Sequence, residues 1–139
     1  MTTNYTSLRM SDVMSPSPVY VEINATLAEA ERMMATHQIH HLPVMKDNCL
    51  ESFISKRDIG QLTLSGHQYD KREELRVADI YPTQAYVADI DDPLVRVLDI
   101  MVSKRISAVI VLKEGELCGI FTEADGCRVL AQLMAAPPQ

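Results

Sequence analysis

The chain is poor in the features that mark several broad classes of protein. It carries 13 Lys and Arg residues against 19 Asp and Glu, a net charge of −6. General binding to nucleic acid or to an anionic membrane needs a basic surface, which this balance does not offer. No apolar run approaches the roughly 20 residues that span a bilayer, and the first residues, 1–6, have neither the basic nor the apolar region of a signal peptide. We therefore expect no nucleic-acid partner and no membrane partner.

Cysteine is scarce and odd in number, and its spacing is not that of metal ligands. The three residues are Cys49, Cys118 and Cys127. We expect their thiols to be small buried or partly buried apolar groups in a protein of the reducing cytoplasm.

The sequence also lacks a catalytic constellation. It has no Walker loop, no nucleophile elbow and no carboxylate pair with a reason to differ in pKa. Two clusters of possible metal ligands have simpler interpretations. The histidines straddle a helix end and a strand start, without an acidic or cysteine partner at ligand spacing, and the aspartates suit a solvated turn and a helix cap. The clusters are His37, His40 and His41, and Asp89, Asp91 and Asp92. We predict neither catalytic residues nor a metal site.

What the sequence does contain is an internal duplication. The segment Leu117–Asp125 matches Leu50–Asp58 at an offset of 67 residues. The same offset relates many other apolar and special positions without a gap, for example Leu27 to Leu94. Chance does not hold one offset over so many positions, so the chain consists of two copies of one unit.

Each copy has the pattern of a β-α-β-β-α unit. Thr26 and Glu29 form a capping box for the first helix, whereas Asp92 caps its counterpart, with Pro93 at the first helical position. Val19–Ile23 is a predicted strand. We predict a fold of the α/β (α+β) class, with two tandem β-α-β-β-α repeats packed about a pseudo-twofold axis. The predicted ranges are repeat one over 8–64, a linker over 65–74, repeat two over 75–133, and flexible termini over 1–7 and 134–139.

The same motif stands at the start of the last predicted helix of each copy, as Ser55-x-x-Asp58 and as Thr122-x-x-Asp125. A helix N-terminus favours a phosphate. The hydroxyl can bond that phosphate, and the aspartate one turn later can accept both hydroxyls of a ribose. The same spacing is also that of a plain helix cap, so a purely structural role stays an alternative.

The duplicated unit resembles the CBS domain pair, or Bateman module, over roughly residues 8–133. The residues that carry the resemblance are Asp12-Val13-Met14-Ser15-Pro16, His41-Leu42-Pro43-Val44 and the two Ser/Thr-x-x-Asp motifs. The resemblance implies an adenosyl ligand bound between the repeats, in clefts to which both repeats contribute. The first cleft would contain Ser55, Lys56, Arg57, Asp58, Thr83, Ala85, Ser107, Ala108 and Val109. The second would contain Ser15, Val19, His40, His41, Ile120, Thr122 and Asp125.

The two predicted clefts differ in charge and in one small residue. Lys56 and Arg57 lie inside the first motif, whereas Glu123 lies in the second. We expect a phosphate-bearing nucleotide to prefer the first cleft, leaving the second empty or holding a less anionic adenosyl ligand. Ser52 occupies the place of Gly119 and can narrow the approach to the first cleft.

The resemblance therefore implies a regulatory module that is not an enzyme and needs no cofactor. It would bind AMP, ADP, ATP or S-adenosylmethionine and modulate an unidentified partner protein. A ligand-free dimerisation scaffold is the alternative, and an enzyme that uses the cleft for phosphate chemistry is a third, less supported one. We expect a homodimer, because one apolar stripe is larger than a single pair of repeats needs. The stripe comprises Leu94, Val97, Leu98 and Met101, with Met33 and Met34.

Overall fold

The computed structural model of the chain describes residues 7–16, 18–64, 73–80 and 86–135. These residues form five α-helices and seven strands, with a 3-10 helix at Val77–Ile80. The helices are α1 (Met10–Val13), α2 (Leu27–His37), α3 (Lys56–Leu64), α4 (Leu94–Lys104) and α5 (Glu123–Ala135). The strands are β1 (Ser15–Pro16), β2 (Val21–Glu22), β3 (His41–Lys46), β4 (Cys49–Ser55), β5 (Val87–Asp89), β6 (Ala108–Lys113) and β7 (Glu116–Thr122).

The strands form two sheets of related design. One has the order β2-β3-β4 and the other β1-β7-β6-β5. In each sheet a parallel pair, β2 with β3 or β5 with β6, is followed by an antiparallel hairpin. Both hairpins carry a register shift at the same place, between Val44 and Met45 and between Val111 and Leu112. The predicted tandem β-α-β-β-α repeats are therefore confirmed.

The described residues fall into two compact units, which exchange their first segments. The first-repeat unit comprises Val19–Ala85, and the second-repeat unit comprises Met1–Pro18 with Tyr86–Gln139. β1 therefore pairs with β7 of the second repeat. The predicted ranges of repeats and linker follow the duplication rather than this grouping by contact, and they stay predictions.

The hydrogen bonds of the exchange are themselves duplicated. The amide of Leu94 donates to the carbonyl of Leu8, and the amide of Leu27 donates to the carbonyl of Leu75, at 2.8 and 2.9 Å. Each short segment therefore closes the N-terminal end of a helix, α4 in one unit and α2 in the other.

Each unit has its own apolar core. The second-repeat core includes Val109, Val111 and Phe121, and the first-repeat core includes Leu42, Val44 and Ile54. The helix stripe that suggested a dimer interface belongs mostly to these cores: Leu94, Val97, Met101 and Met34 are buried. These residues cannot cover a partner, because burial within their own unit already removes them from water.

Local signals explain the element ends, with two corrections. The hydroxyl of Thr26 accepts from the amide of Glu29, and the Glu29 carboxylate accepts from the amide of Thr26, as the capping box predicts. The predicted cap of α4 is wrong. Pro93, with extended backbone, is the N-cap residue, and the carboxylate of Asp92 accepts instead from the amide of Asp89. The predicted strand Val19–Ile23 is reduced to Val21–Glu22, the two residues that pair with β3.

Two of the three cysteines depart from the expected burial, and the third agrees with it. Cys49 and Cys127 are exposed, and Cys118 is half-buried. Cys49 follows the β3–β4 turn and Cys127 lies on the outer side of α5, where their own unit does not cover them.

Candidate functional site

Both Ser/Thr-x-x-Asp motifs lie where a hairpin strand runs directly into a helix. Ser55 is the last residue of β4, and Thr122 is the last residue of β7. The first amide of each helix donates to the residue that precedes its own hairpin, Lys56 to the carbonyl of His40 at 2.8 Å and Glu123 to that of Ser107 at 3.1 Å. The strand end and the helix start are thereby held in one geometry in both units.

The first motif forms a reciprocal cap. The hydroxyl of Ser55 accepts from the amide of Asp58 at 3.1 Å, and Oδ2 of Asp58 accepts from the amide of Ser55 at 2.9 Å. Two of the first three amides of α3, those of Lys56 and Asp58, are therefore already engaged. The capping interpretation is realised, and it leaves fewer donors for a phosphate than an uncapped helix would offer.

The carboxylate of Asp58 nevertheless keeps acceptor capacity. An ionised carboxylate offers about four lone-pair positions. Within the described residues, Oδ1 of Asp58 takes part in no hydrogen bond or ion pair, and the side chain is only half-buried. Lys56 and Arg57 beside it are exposed and form no ion pair with a described residue. The first motif thus combines an open acceptor with two available cations.

The second motif begins from the same cap but is much more enclosed. Oδ2 of Asp125 accepts from the amide and the hydroxyl of Thr122, at 2.9 and 3.2 Å. Oδ1 accepts from the hydroxyl of Ser15 at 3.1 Å and lies 2.8 Å from Nη1 of Arg128. Asp125 is only 5% exposed. Its carboxylate is therefore saturated by the protein's own donors.

Arg128 is a residue of this site that the sequence reasoning missed. Besides Asp125, its guanidinium donates through Nη2 to the carbonyl of Val13 at 3.3 Å. The available signal was the spacing, since Asp and Arg three residues apart on a helix lie on the same face. The contact with Val13 carries no such signal, because 115 residues separate the two in sequence.

Gly119 lets the N-terminal segment approach β7 this closely. A Cβ added at Gly119 would lie 2.5 Å from Sδ of Met14 and 2.9 Å from the carbonyl oxygen of Ser15. Ser15 pairs with Ile120 in the same register. The missing side chain therefore allows the Ser15 hydroxyl to come within reach of Asp125.

Ser52, the counterpart of Gly119, lies inside the first-repeat unit. It is 5% exposed, and its hydroxyl has no hydrogen-bond partner among the described residues. Its predicted effect on access to the first cleft stays a prediction.

Two of the remaining predicted residues pair with the motif of their own unit. His41 pairs with Ser55 across the first hairpin, and Ala108 pairs with Thr122 across the second. Ala108 and Val109 are fully buried, so only their backbone can be offered to a ligand. Val19 is half-buried in the first-repeat unit. Thr83 and Ala85 lie outside the described residues, and the predicted pairings that join the two units stay predictions.

A cavity of about 590 Å³ opens in the first-repeat unit beside α2 and α3. Its polar lining includes His40 and Lys56, and its apolar lining includes Met34, Ile39 and Ile59. His40, which the resemblance placed in the second cleft, therefore shares a surface with the first motif.

Two other kinds of feature, a metal centre and a membrane-spanning helix, are absent from the described residues. No group of three or more His, Cys, Asp or Glu side chains there is arranged to hold a metal ion. No helix in the same part of the chain has the length and apolar character needed to cross a membrane.

The duplicated fold and the paired caps define a class of protein, and comparison with known families identifies it. The model of the CBS domain matches twice, over residues 10–61 and 77–132, which together are well over half of the chain. The protein belongs to the CBS domain family, as the resemblance implied.

The curated relatives match this chain either over a short segment or at low identity. A CBS domain-containing protein of Dictyostelium discoideum is 28% identical over 94% of this chain and 97% of its own length. The uncharacterized protein YlbB of Bacillus subtilis is 34% identical over 53% of this chain, which spans 47% of that protein. Inosine-5'-monophosphate dehydrogenase of Staphylococcus aureus is 39% identical over 54 residues, 11% of the enzyme. That last match therefore brings no enzyme activity to this chain.

Solved structures share the fold over nearly all of their length. Hypoxic Response Protein I, solved with two coordinated zinc ions, is 27% identical over 87% of this chain and 98% of its own, with a TM-score of 0.74. The CBS domain pair of protein MJ0100, in complex with 5-methylthioadenosine and S-adenosyl-L-methionine, is 23% identical over 91% and 98%, at 0.80. CBSX2 in complex with AMP is 20% identical over 91% and 98%, at 0.75. At these identities the last two comparisons show the fold alone.

Proposed function

We propose that this chain is a regulatory module that binds an adenine nucleotide or a related adenosyl compound at its Ser55–Asp58 motif and thereby alters the activity of a partner protein. The observation that carries the proposal is the half-buried Asp58, whose Oδ1 has no partner among the described residues and which lies beside Lys56 and Arg57, two exposed cations without an ion pair in that part of the chain. Structural relatives of the same fold bind AMP, 5-methylthioadenosine or S-adenosylmethionine, which supports this class of ligand.

The chemistry of the motif suits such a ligand. A ribose diol presents two O–H donors, and Asp58 can accept them through Oδ1 without losing its bond from the amide of Ser55. Lys56 or Arg57 can donate charge-assisted bonds to a phosphate, each about 1.5–3 kcal/mol. A ligand that couples to the partner by about 1–3 kcal/mol is sufficient for regulation.

The test is calorimetric titration of AMP, ADP, ATP and S-adenosylmethionine, with adenosine in parallel to isolate the phosphate contribution. In Asp58→Asn the amide oxygen can still accept from Ser55, but the side chain offers fewer acceptors to a ribose, so affinity should fall roughly tenfold to a hundredfold. Glu29→Gln is the matched control, since it alters a capping carboxylate on α2 and should leave affinity unchanged.

The ligand-free scaffold remains the competing function, because both motifs do cap their helices. It predicts no heat of binding from any of these compounds with the wild-type chain. Unchanged affinity in Asp58→Asn would instead place the ligand elsewhere.

We also propose that the protein assembles as a homodimer, through a surface that shares only Leu98 with the predicted stripe. Large apolar side chains are exposed on one side of α4 and on α5, a composition typical of interaction surfaces. They are Val95, Leu98, Val102, Leu130 and Met134.

Sedimentation at micromolar concentration should give twice the 15.6 kDa mass of the chain. Val102→Asp, at a side chain that is 79% exposed, should shift the species towards monomer without unfolding it. Ala35→Asp, at the equivalent exposed position of α2, is the control and should stay dimeric. A wild-type chain that sediments as a monomer would contradict the proposal.

A further inference from the structure

Asp125 has contacts beyond its helix cap that the sequence of the second motif does not indicate. Ser15, Asp125 and Arg128 are joined by contacts of 3.1 and 2.8 Å, both made at the same carboxylate oxygen, Oδ1. We refer to these three residues as the Asp125 latch. Arg128 has a second anchor, the carbonyl of Val13 at 3.3 Å, so its guanidinium is held at two points.

The number of donors decides what this carboxylate can still accept. Four donor contacts reach Asp125, two at each oxygen, from Thr122, Ser15 and Arg128. They match the roughly four lone-pair positions that an ionised carboxylate offers. At Asp58 a single donor contact, from Ser55, is present among the described residues. A ribose can therefore add its hydroxyls to Asp58, whereas at Asp125 it must displace a donor.

We infer that the Asp125 latch shuts the second motif to ribose, so that the chain holds one adenosyl ligand, at Asp58. This inference rests on the proposed function. The charge of Glu123 would oppose only a ligand that carries a phosphate. Occupied acceptor positions on Asp125 oppose any ribose, including that of uncharged adenosine.

Arg128 is the part of the latch that distinguishes the second repeat. Its counterpart 67 residues earlier is Gln61, which cannot form an ion pair. Its side chain is 50% exposed although that of Asp125 is only 6% exposed, so the guanidinium can be removed from the surface side. Ser15 can lose its hydroxyl without changing the backbone pairing with Ile120.

The opening variant is the double substitution Ser15→Ala with Arg128→Gln, made in the full chain. It leaves Asp125 with the bonds from Thr122 alone, close to the set that Asp58 has. Calorimetric stoichiometry with adenosine and AMP should rise from one per wild-type chain to two per double-variant chain. Adding Asp125→Asn should return it to one, which assigns the new site.

Amide hydrogen exchange of residues 10–16 gives a readout that needs no ligand. Because the latch ties α5 to Ser15 and to the carbonyl of Val13, exchange there should be faster in the double variant. Slower or equal exchange would show that these contacts do not hold the segment in solution, and would overturn the latch.

Each binding outcome decides between the two proposals. Two ligands on the wild-type chain overturn the latch and leave the proposed function intact, and so does one ligand on both chains. No ligand on the wild type with one on the double variant supports the latch but refutes binding at Asp58. No ligand on either chain refutes both.

Discussion

The Ser55–Asp58 and Thr122–Asp125 motifs share a strand, a turn into a helix and a reciprocal cap, yet their aspartates are in different states. Asp58 is half-buried, and its Oδ1 has no partner among the described residues. Asp125 is buried, and its carboxylate accepts from Thr122 and Arg128 on either side of it in sequence and from the distant Ser15. The local sequence determines the cap, which both motifs have. The distant Ser15 and the neighbouring Arg128 determine whether the carboxylate of Asp125 has any capacity left for a ligand.

The largest difference between the two motifs should appear in stability when each carboxylate is removed in turn. Asp125→Ala should lower the free energy of unfolding by about 2–4 kcal/mol, because it leaves Arg128, Ser15 and Thr122 without their shared acceptor. Asp58→Ala should cost about 0.5–2 kcal/mol, the range for loss of a helix cap. Urea unfolding of the two variants measures the difference.

Because Arg128 is half-exposed, solvent screens its ion pair with Asp125, and we expect a loss in the lower part of the range given for Asp125→Ala. Equal losses of unfolding free energy in the two variants would mean that the Asp125 latch adds no stability beyond that of the helix cap.

A smaller loss of stability should follow when Gly119 is replaced by serine, the residue at the equivalent position 52 of the first repeat. In Gly119→Ser the new Cβ meets the carbonyl oxygen of Ser15 at 2.9 Å as well as the more adaptable side chain of Met14. The N-terminal segment must shift away from β7, at a cost of about 1–3 kcal/mol.

The control is Ser52→Ala in the other repeat, which removes a buried hydroxyl that lacks a partner among the described residues and should be neutral or slightly stabilising. Thermal unfolding followed by circular dichroism compares the two. An unchanged Tm for Gly119→Ser would show that β1 yields to the new side chain without loss, and would weaken the argument that Gly119 is required for the Ser15 contact.

Much of the fold could be predicted because its signals are local. Thr26 and Glu29 begin α2 as a capping box, and the apolar run Val109–Val111 is a strand buried on both faces. The two hairpins follow from the same kind of pattern. Their turns are two residues long, with positive φ at Asp47 and Asn48 and at the pair 114–115, as expected for a tight hairpin whose twist matches its strands.

The predictions that failed depended on contacts between distant residues. Asp92 has the composition of a helix cap, but its carboxylate is taken by the amide of Asp89. Leu94 and Met101 have the spacing of an interface stripe, but the core of their own unit buries them. In each case the residue type was interpreted correctly and the partner was not, since a pattern along one segment carries no record of what packs against it.

The sequence by itself determined that the chain is a duplicated β-α-β-β-α unit with a cap at the start of each last helix, because periodicity, turn residues and capping pairs act over a few positions. Only the tertiary structure decided which copy each N-terminal segment joins. The segments before α2 and α4 form equivalent hydrogen bonds, so the repeat pattern is the same whether they stay or exchange. That exchange brings Ser15 and the carbonyl of Val13 to Asp125 and Arg128. Asp125 thereby gains partners that Asp58 does not have among the described residues, and two nearly identical motifs become chemically unequal.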